Sequence, residues 1–133
     1  MFPTEDMELT HILVSGDLER SRRFYTEVLG AELVREYGGS SLVLRFLGNW
    51  LLVVTGGEPT EDKPTVTFAP PTDPDVVNAS FTIRVEDCAD AYGTLRARGA
   101  DFLTPPVRHG AETRAFFRDP DGHLFEISQY SPG

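Results

Sequence analysis

The sequence predicts an α+β domain built from two copies of one unit, each a strand, a helix and three further strands. A helix-like segment that runs from Asp17 to Gly30 is matched by one that runs from Asp87 to Gly99. Two later segments also repeat: 42–45 matches 115–118, and 50–55 matches 123–128, both at an offset of 73 residues. Because the matched segments keep the same order, the chain is expected to fold as an internal repeat.

The repeat sets the expected domain organisation, a single domain over 1–133. The first module is expected over about 7–55 and the second over about 79–130, with a connector over 56–78. The connector contains five prolines, so we expect little regular structure there beyond a short extended piece at 65–68. A connector of this length is either a wall over a binding site or a spacer, and the sequence leaves both open.

Each module carries the same signals for its helix and strands. Asp17 and Asp87 are suited to cap the first turn of a helix, and Gly30 and Gly99 suit the left-handed position at its end. Alternating apolar residues and Gly-rich or Asp-Gly turns then predict eight strands. They are expected at 9–15, 32–37, 41–47, 50–55, 80–85, 101–104, 112–118 and 124–130.

Composition excludes several classes of partner. The formal net charge of −9 argues against nucleic acid, whose phosphates need a basic surface. No apolar run approaches the roughly 20 residues that span a bilayer, so no membrane partner is expected. A single cysteine forbids an intrachain disulfide and is compatible with the cytoplasm, which is the expected location.

Strand alternation predicts which side chains face away from the core. In the strand 80–85, apolar Phe81, Ile83 and Val85 should face inward, which turns outward the polar set Ser80, Thr82 and Arg84. In the last strand the same rule turns outward Glu126 and Ser128. In the first module it turns outward Thr10 and Val53 and puts His11 on the side of Phe81.

These outward side chains suggest a place for a ligand. If the two sheets curl towards each other, the outward sets line one cup with hydroxyls, a cation, a carboxylate and an apolar wall, which suits a small molecule. The alternative is a solvated face on which Arg84 and Glu126 pair.

Two motifs resemble one known superfamily. The run Asp-Leu-x-x-Ser-x-x-Phe-Tyr-x-x-Val-Leu-Gly at 17–30 resembles the opening of the vicinal oxygen chelate superfamily, which includes glyoxalase I, extradiol dioxygenases, and fosfomycin- and bleomycin-resistance proteins. The run at 117–127 resembles its second signature. The resemblance implies paired βαβββ modules that form a curved sheet cup, the glyoxalase-like fold, usually in a dimer. A homodimer is therefore expected.

The resemblance also implies a site for one divalent metal ion. Its four ligand positions map onto Thr10, Val53, Ser80 and Glu126. Only Glu126 is a strong ligand, because hydroxyls are weak donors and a valine has none, so we expect no metal cofactor. The alternative is one divalent ion at a shifted site on His11 and Glu126, which would need a bulge to turn His11.

Other polar residues are assigned more simply. Arg108 and Arg114 are placed to meet an anionic ligand together with Arg84. His109 is expected in a solvated loop near the cup, and His123 at the surface. Cys88 is expected in the core, because no basic partner is evident beside it.

The leading functional hypothesis is a diverged superfamily member that binds a small organic molecule. The expected binding residues are Thr10, Val53, Ser80, Thr82, Arg84, Arg114 and Ser128, and Glu126 is the general acid or base if a reaction occurs. One alternative is a metal-dependent lyase or dioxygenase that uses His11 and Glu126. Another is a resistance protein that sequesters a drug at the dimer interface. The sequence does not decide whether the protein is an enzyme.

Overall fold

The repeat in the sequence folds as two βαβββ modules. A computed structural model describes residues 1–132. The elements of the first module are β1 (Thr10–Ser15), α1 (Leu18–Arg23) with a π-helical continuation (Phe24–Val28), β2 (Glu32–Tyr37), β3 (Ser41–Phe46) and β4 (Asn49–Thr55). Those of the second are β5 (Phe81–Arg84), α2 (Cys88–Ala97), β6 (Asp101–Phe102), β7 (Val107–His109), β8 (Glu112–Arg118) and β9 (Leu124–Tyr130).

Each module forms its own sheet. The first has the order β1-β4-β3-β2 and the second the order β5-β9-β8-β6, with β7 also paired to β8. The first and last strands of each module run parallel, β1 with β4 and β5 with β9, and the other pairs are antiparallel. The predicted α+β class and the repeat are confirmed, whereas β7 was not predicted.

The helix boundaries follow the predicted caps. Asp17 accepts a hydrogen bond from the Arg20 amide at 3.2 Å, and Asp87 accepts one from the Asp90 amide at 3.0 Å. Both terminal glycines adopt positive φ, 77° at Gly30 and 106° at Gly99. These are conformations that a side chain would resist, so the two glycines stop the helices as expected.

A single core joins the two modules. The inner faces of both sheets contribute to one cluster of buried apolar side chains. Two aromatic residues of the first helix link them: Phe24 lies 6.5 Å from Phe117 and Tyr25 lies 6.2 Å from Phe125, measured between ring centroids. Cys88 is fully buried at the start of α2, which confirms its predicted place.

The turn between β8 and β9 is tied into the first module by a buried polar network. Asp119, only 5% exposed, accepts a hydrogen bond from the Tyr25 hydroxyl at 2.7 Å and another from the His123 amide at 2.8 Å. Asp121 accepts one from the Gly16 amide at 2.8 Å. Burial is the largest cause that raises the pKa of Asp119 above its usual value, and burial together with the Asp119 charge raises that of Tyr25.

His123 belongs to this buried polar network, which we call the interlock, so its predicted surface position is wrong. It is half-buried, and its Nε2 lies 2.9 Å from the Val14 carbonyl oxygen. The reason is that β9 begins beside β1, where the ring satisfies a backbone carbonyl of the other module. The sequence around the Asp-Gly turn gave no sign of that neighbour.

The connector lies against both modules. It starts with an antiparallel pair, in which the Gly57 amide donates to the Phe68 carbonyl at 2.9 Å and the Phe68 amide donates back at 2.8 Å. Further on, Asp75 pairs with Arg118 of β8 at 2.6 Å. Among the residues described, no helix is both long and apolar enough to cross a membrane.

Candidate functional site

The outward face of the second sheet carries a carboxylate with a hydroxyl beside it. Strand pairing sets Thr82 directly opposite Glu126, and the Thr82 hydroxyl donates to Glu126 Oε1 at 2.6 Å. The other oxygen, Oε2, is buried and has no hydrogen-bond partner among the described residues. A buried polar atom without a partner costs about 1–3 kcal/mol, so Glu126 is suited to receive a donor from a bound molecule.

Two arginines on the same face are bridged by one carboxylate. Glu112 lies with its Oε2 3.3 Å from Arg84 Nη1 and its Oε1 3.2 Å from Arg114 Nη1. The buried Ser128 hydroxyl donates to Glu112 Oε2 at 2.6 Å and accepts from Arg84 Nη1 at 2.8 Å. The Ser128 hydrogen bond, followed by the hydrogen bond from Arg114 and the positive charges of Arg114 and Arg84, holds the pKa of Glu112 below its ordinary value.

The structure thus brings together four of the predicted site residues on the second sheet with Glu126. Thr82 contacts Glu126 directly, and Arg84, Arg114 and Ser128 form the adjoining cluster. The expected alternative of an Arg84–Glu126 pair does not form, because Glu112 takes Arg84 instead. Ser80 precedes β5 and is exposed.

The remaining polar candidates of the second module lie at the edge of this face. His109 ends β7 and is exposed, as expected, opposite Glu112 of β8. Arg108 is exposed as well, and its Nε donates to the Gly110 carbonyl at 2.9 Å, so it does not join the arginine cluster.

Val53 does not face outward, and the predicted position is wrong. Its side chain is 1% exposed and belongs to the core, like that of Ile127 in the second sheet. The physical reason is a turn length: Arg45 pairs with Trp50 across four residues, whereas its counterpart Arg118 pairs with Leu124 across five. The offset between modules therefore rises from 73 to 74 after the turn, and the counterpart of Glu126 is Leu52.

The outward face of the first sheet has an apolar row, with the polar side chains of Arg35 and Arg45 beside it. Ile12, Leu52 and Val43 form one row across β1, β4 and β3, and Thr10 lies opposite Trp50 in the next row. The inner faces of both sheets contribute to the shared core, and in each sheet the outward face lies on the other side of the same strands. Among the described residues, Thr82 and not Thr10 makes the side-chain hydrogen bond to Glu126.

His11 belongs to the inward-facing set of β1 in the first sheet, whereas Glu126 belongs to the outward-facing set of β9 in the second. Its ring meets Phe81 edge-on, with the centroids 5.4 Å apart, and Phe81 pairs with core residue Phe125. The β1–β4 register is continuous, so no bulge turns His11 outward. The predicted parity of His11 with Phe81 is thus confirmed.

The residues at the four expected ligand positions do not fit a divalent metal ion. With the corrected register these positions hold Thr10, Leu52, Ser80 and Glu126, which offer one carboxylate, two neutral hydroxyls and one side chain with no donor atom. Within residues 1–132, no group of three or more His, Cys, Asp or Glu side chains is placed to hold a metal. Catalytic metal sites usually have three protein ligands.

The connector forms one wall of a cavity of about 790 Å³ at the junction of the modules. His11, Phe81 and His123 line it opposite the connector prolines Pro70, Pro71 and Pro74. Glu126 and the arginine cluster do not line this cavity. The outward face of the second sheet, which we call the polar face, is therefore separate from the connector cavity.

Glu112 and Phe116 are the members of the polar face that sequence reasoning missed. Both lie on β8 at even spacing from Arg114, and Phe116 is the cross-strand partner of Glu126. That period of two was the available signal, because residues two apart on a strand share a face.

Comparison with known proteins identifies the family by sequence. The model of the Glyoxalase/Bleomycin resistance protein/Dioxygenase superfamily matches residues 8–127. A probable lactoylglutathione lyase of Synechocystis sp. is 30% identical, covering 94% of this chain and 97% of the relative. A lactoylglutathione lyase of Escherichia coli O157:H7 is 32% identical, covering 91% of each.

A solved structure agrees with the fold. A glyoxalase/bleomycin resistance protein/dioxygenase from Nocardioides superposes with a TM-score of 0.72 at 24% identity, covering 98% of this chain and 87% of that one. At this identity the likeness bears on the fold alone.

Proposed function

The chain belongs to the glyoxalase/bleomycin resistance protein/dioxygenase superfamily, and on that premise we propose that it binds a small organic molecule on the outward face of its second sheet, without the metal usual in the family. Glu126 is the central polar contact. If the protein catalyses a reaction, Glu126 is its general acid or base.

The observation that carries this proposal is the state of the Glu126 carboxylate. One oxygen is oriented by Thr82 at 2.6 Å, and the other is buried with no partner among the residues described. A carboxylate fixed in this way is ready to accept a hydrogen bond or a proton from a ligand. Phe116, opposite Glu126 on the neighbouring strand, adds the apolar surface that ligand sites usually contain.

The metal-free part of the proposal follows from the donor set. A single carboxylate with two neutral hydroxyls is a poor set for zinc, nickel or iron compared with imidazoles and several carboxylates. Leu52 faces outward at the fourth position and supplies no donor atom. We therefore derive no chemical step through a metal ion.

A second copy of the chain would complete the binding site. The outward face of the first sheet has an apolar row of Ile12, Leu52 and Val43, with Ile12 49% exposed, and such a patch favours a partner over water. Set against the second sheet of another copy, it would close an apolar wall over Glu126. The resulting homodimer would contain two equivalent sites.

The test replaces one atom of the central residue. Glu126→Gln keeps the size of the side chain but removes its charge and ability to take a proton. In a ligand-observed NMR screen of small neutral molecules that carry a hydroxyl or amine, binders of the natural protein should bind Glu126→Gln about tenfold more weakly, since a hydrogen bond to a charged group is worth about 1.5–3 kcal/mol.

Glu86→Gln, an exposed residue just beyond β5, is the matched control and should leave binding unchanged. Equal binding by natural protein and Glu126→Gln would contradict the proposal. So would a stoichiometric divalent ion in purified protein that is lost in Glu126→Gln.

A second candidate function is lactoylglutathione lyase activity, which the names of the relatives favour. Those relatives match more than nine-tenths of this chain at 30% and 32% identity. The donor set described above is what argues against it. An assay of lactoylglutathione formation, run after incubation with Zn²⁺ or Ni²⁺, should show no metal-dependent rate; a rate that Glu126→Gln abolishes would favour this candidate over the first.

A further inference from the structure

We infer that Arg84 and Arg114 form the subsite for a carboxylate, so that the molecule bound beside Glu126 is an organic acid with an apolar body. This inference rests on the proposed function and names the class of ligand. It starts from a local contrast, because a chain of net charge −9 presents two guanidinium groups side by side on the face of its candidate site.

The two guanidinium groups are held in place, and each keeps N–H donors that bond to no described residue. Glu112 and Ser128 fix their positions, and both are braced, since Ser128 is buried and donates to Glu112 at 2.6 Å. Within residues 1–132, every hydrogen bond made by the side chain of Arg84 or Arg114 comes from its Nη1 atom. A guanidinium has five N–H donors in a fixed fork, so both keep donors for a ligand.

The charge balance favours a carboxylate over a dianion. Two arginines against one glutamate leave a single positive charge at the cluster, and Glu126 supplies a negative charge next to it. A monoanion neutralises the cluster. A doubly charged phosphate would leave an excess negative charge at the arginines. That charge would lie about 7 Å from the Glu126 carboxylate along β9, where like charges repel.

The spacing along β9 sets the length of the ligand. Glu126 and Ser128 are two residues apart on one face, which is about 7 Å. Phe116 lies in the row of Glu126, and its ring centroid is 5.7 Å from the guanidinium carbon of Arg114, which lies in the row of Ser128. The ligand therefore has a carboxylate at the arginines, an apolar body over Phe116 and a hydrogen-bond donor about 7 Å away at Glu126.

The experiment uses two probes of nearly the same shape, 4-hydroxybenzoate and its neutral analogue 4-hydroxybenzamide. Their affinities are measured by NMR titration of the full chain. Arg84→Gln and Arg114→Gln should each weaken 4-hydroxybenzoate by about tenfold or more, the loss expected for a charged hydrogen bond, and change 4-hydroxybenzamide by less than about twofold.

Two further variants check that charge and geometry are responsible. Arg84→Lys should fall between the natural protein and Arg84→Gln, because it keeps the charge but loses the fork. Arg96→Gln, on α2 beside Tyr92, should change neither affinity.

Three results would overturn the inference. The first is that 4-hydroxybenzoate fails to bind at millimolar concentration, and the second is that it binds no tighter than 4-hydroxybenzamide. The third is that its affinity for Arg84→Gln and for Arg114→Gln equals its affinity for the natural protein. The proposed function fails separately. It is lost when Glu126→Gln leaves the affinity for 4-hydroxybenzamide unchanged, whatever the arginine variants do, and it survives when Glu126→Gln weakens that probe while the arginine variants have no effect.

Discussion

Equivalent positions on the outward faces of the two sheets carry opposite chemistry. Where the second sheet has Thr82 opposite Glu126, the first has Ile12 opposite Leu52. The inner faces do not differ in this way, because Leu51 and Val53 are buried like Phe125 and Ile127. The repeat therefore keeps its pattern where it builds the core and changes it where it faces outward.

This difference separates what folds the chain from what acts. Burying an apolar side chain is worth about 1.5–3 kcal/mol, so the inner positions of both modules must stay apolar for the shared core to form. The outward positions are free of that requirement. The first sheet has an apolar row of Ile12, Leu52 and Val43 where the second sheet has Thr82, Glu126 and Phe116.

Placing a carboxylate on each side of β4 should separate the inward and outward positions most strongly. Val53→Glu puts a charge into the core and should cost more than about 3 kcal/mol of the free energy of unfolding, or prevent folding. Leu52→Glu puts the same group on the outward face and should cost less than about 1.5 kcal/mol. Urea unfolding followed by circular dichroism measures both.

That pair of variants also tests the register on which the comparison depends. If Leu52→Glu unfolds the protein and Val53→Glu does not, the counterpart of Glu126 is Val53 after all, and the corrected alignment is wrong.

A second, smaller effect distinguishes the two turns that precede the last strands. Asp119→Ala removes the acceptor of the Tyr25 hydroxyl and of the His123 amide in a buried place, and should cost about 3 kcal/mol. The turn of the first module has no such role, because Asn49 is exposed and its side chain reaches only the Leu47 carbonyl. Asn49→Ala should therefore cost less than about 0.5 kcal/mol in the same unfolding experiment.

Equal losses at the two turns would show that the interlock contributes little. The extra residue of the second turn would then be a difference of length without a structural role.

The sequence was sufficient for features that depend on local patterns. The caps at Asp17 and Asp87 and the bounds of β2, β8 and β9 follow from residue type and alternation, and all are confirmed. β7 was missed because Pro105 and Pro106 precede it and its side chains are exposed, so no apolar alternation marks it.

Features that depend on pairing between distant segments were not accessible in the same way. Val53 was misplaced because a fixed offset cannot detect one extra residue in a turn. Glu112 is a lone acid in the sequence and becomes the bridge between Arg84 and Arg114 only through the register of β8 with β9 and β5. The contact between His123 and the Val14 carbonyl was not predicted for the same reason, because it joins different modules.

A smaller change in the free energy of unfolding is expected when the Thr82–Glu126 pair of the second sheet is replaced by its counterpart in the first sheet, Ile12–Leu52. Thr82→Ile alone removes the donor to Glu126, and Glu126→Leu alone leaves the Thr82 hydroxyl without its acceptor, so each should cost about 0.5–1.5 kcal/mol. The double variant copies the Ile12–Leu52 row and should recover about 1 kcal/mol of the summed loss, because replacing both partners by apolar groups leaves nothing unsatisfied. A double-mutant cycle on the free energy of unfolding measures this coupling. Strictly additive losses would mean that the two residues are not coupled in solution. Hydrogen bonds to water, and not the Thr82–Glu126 hydrogen bond, would then stabilise these side chains.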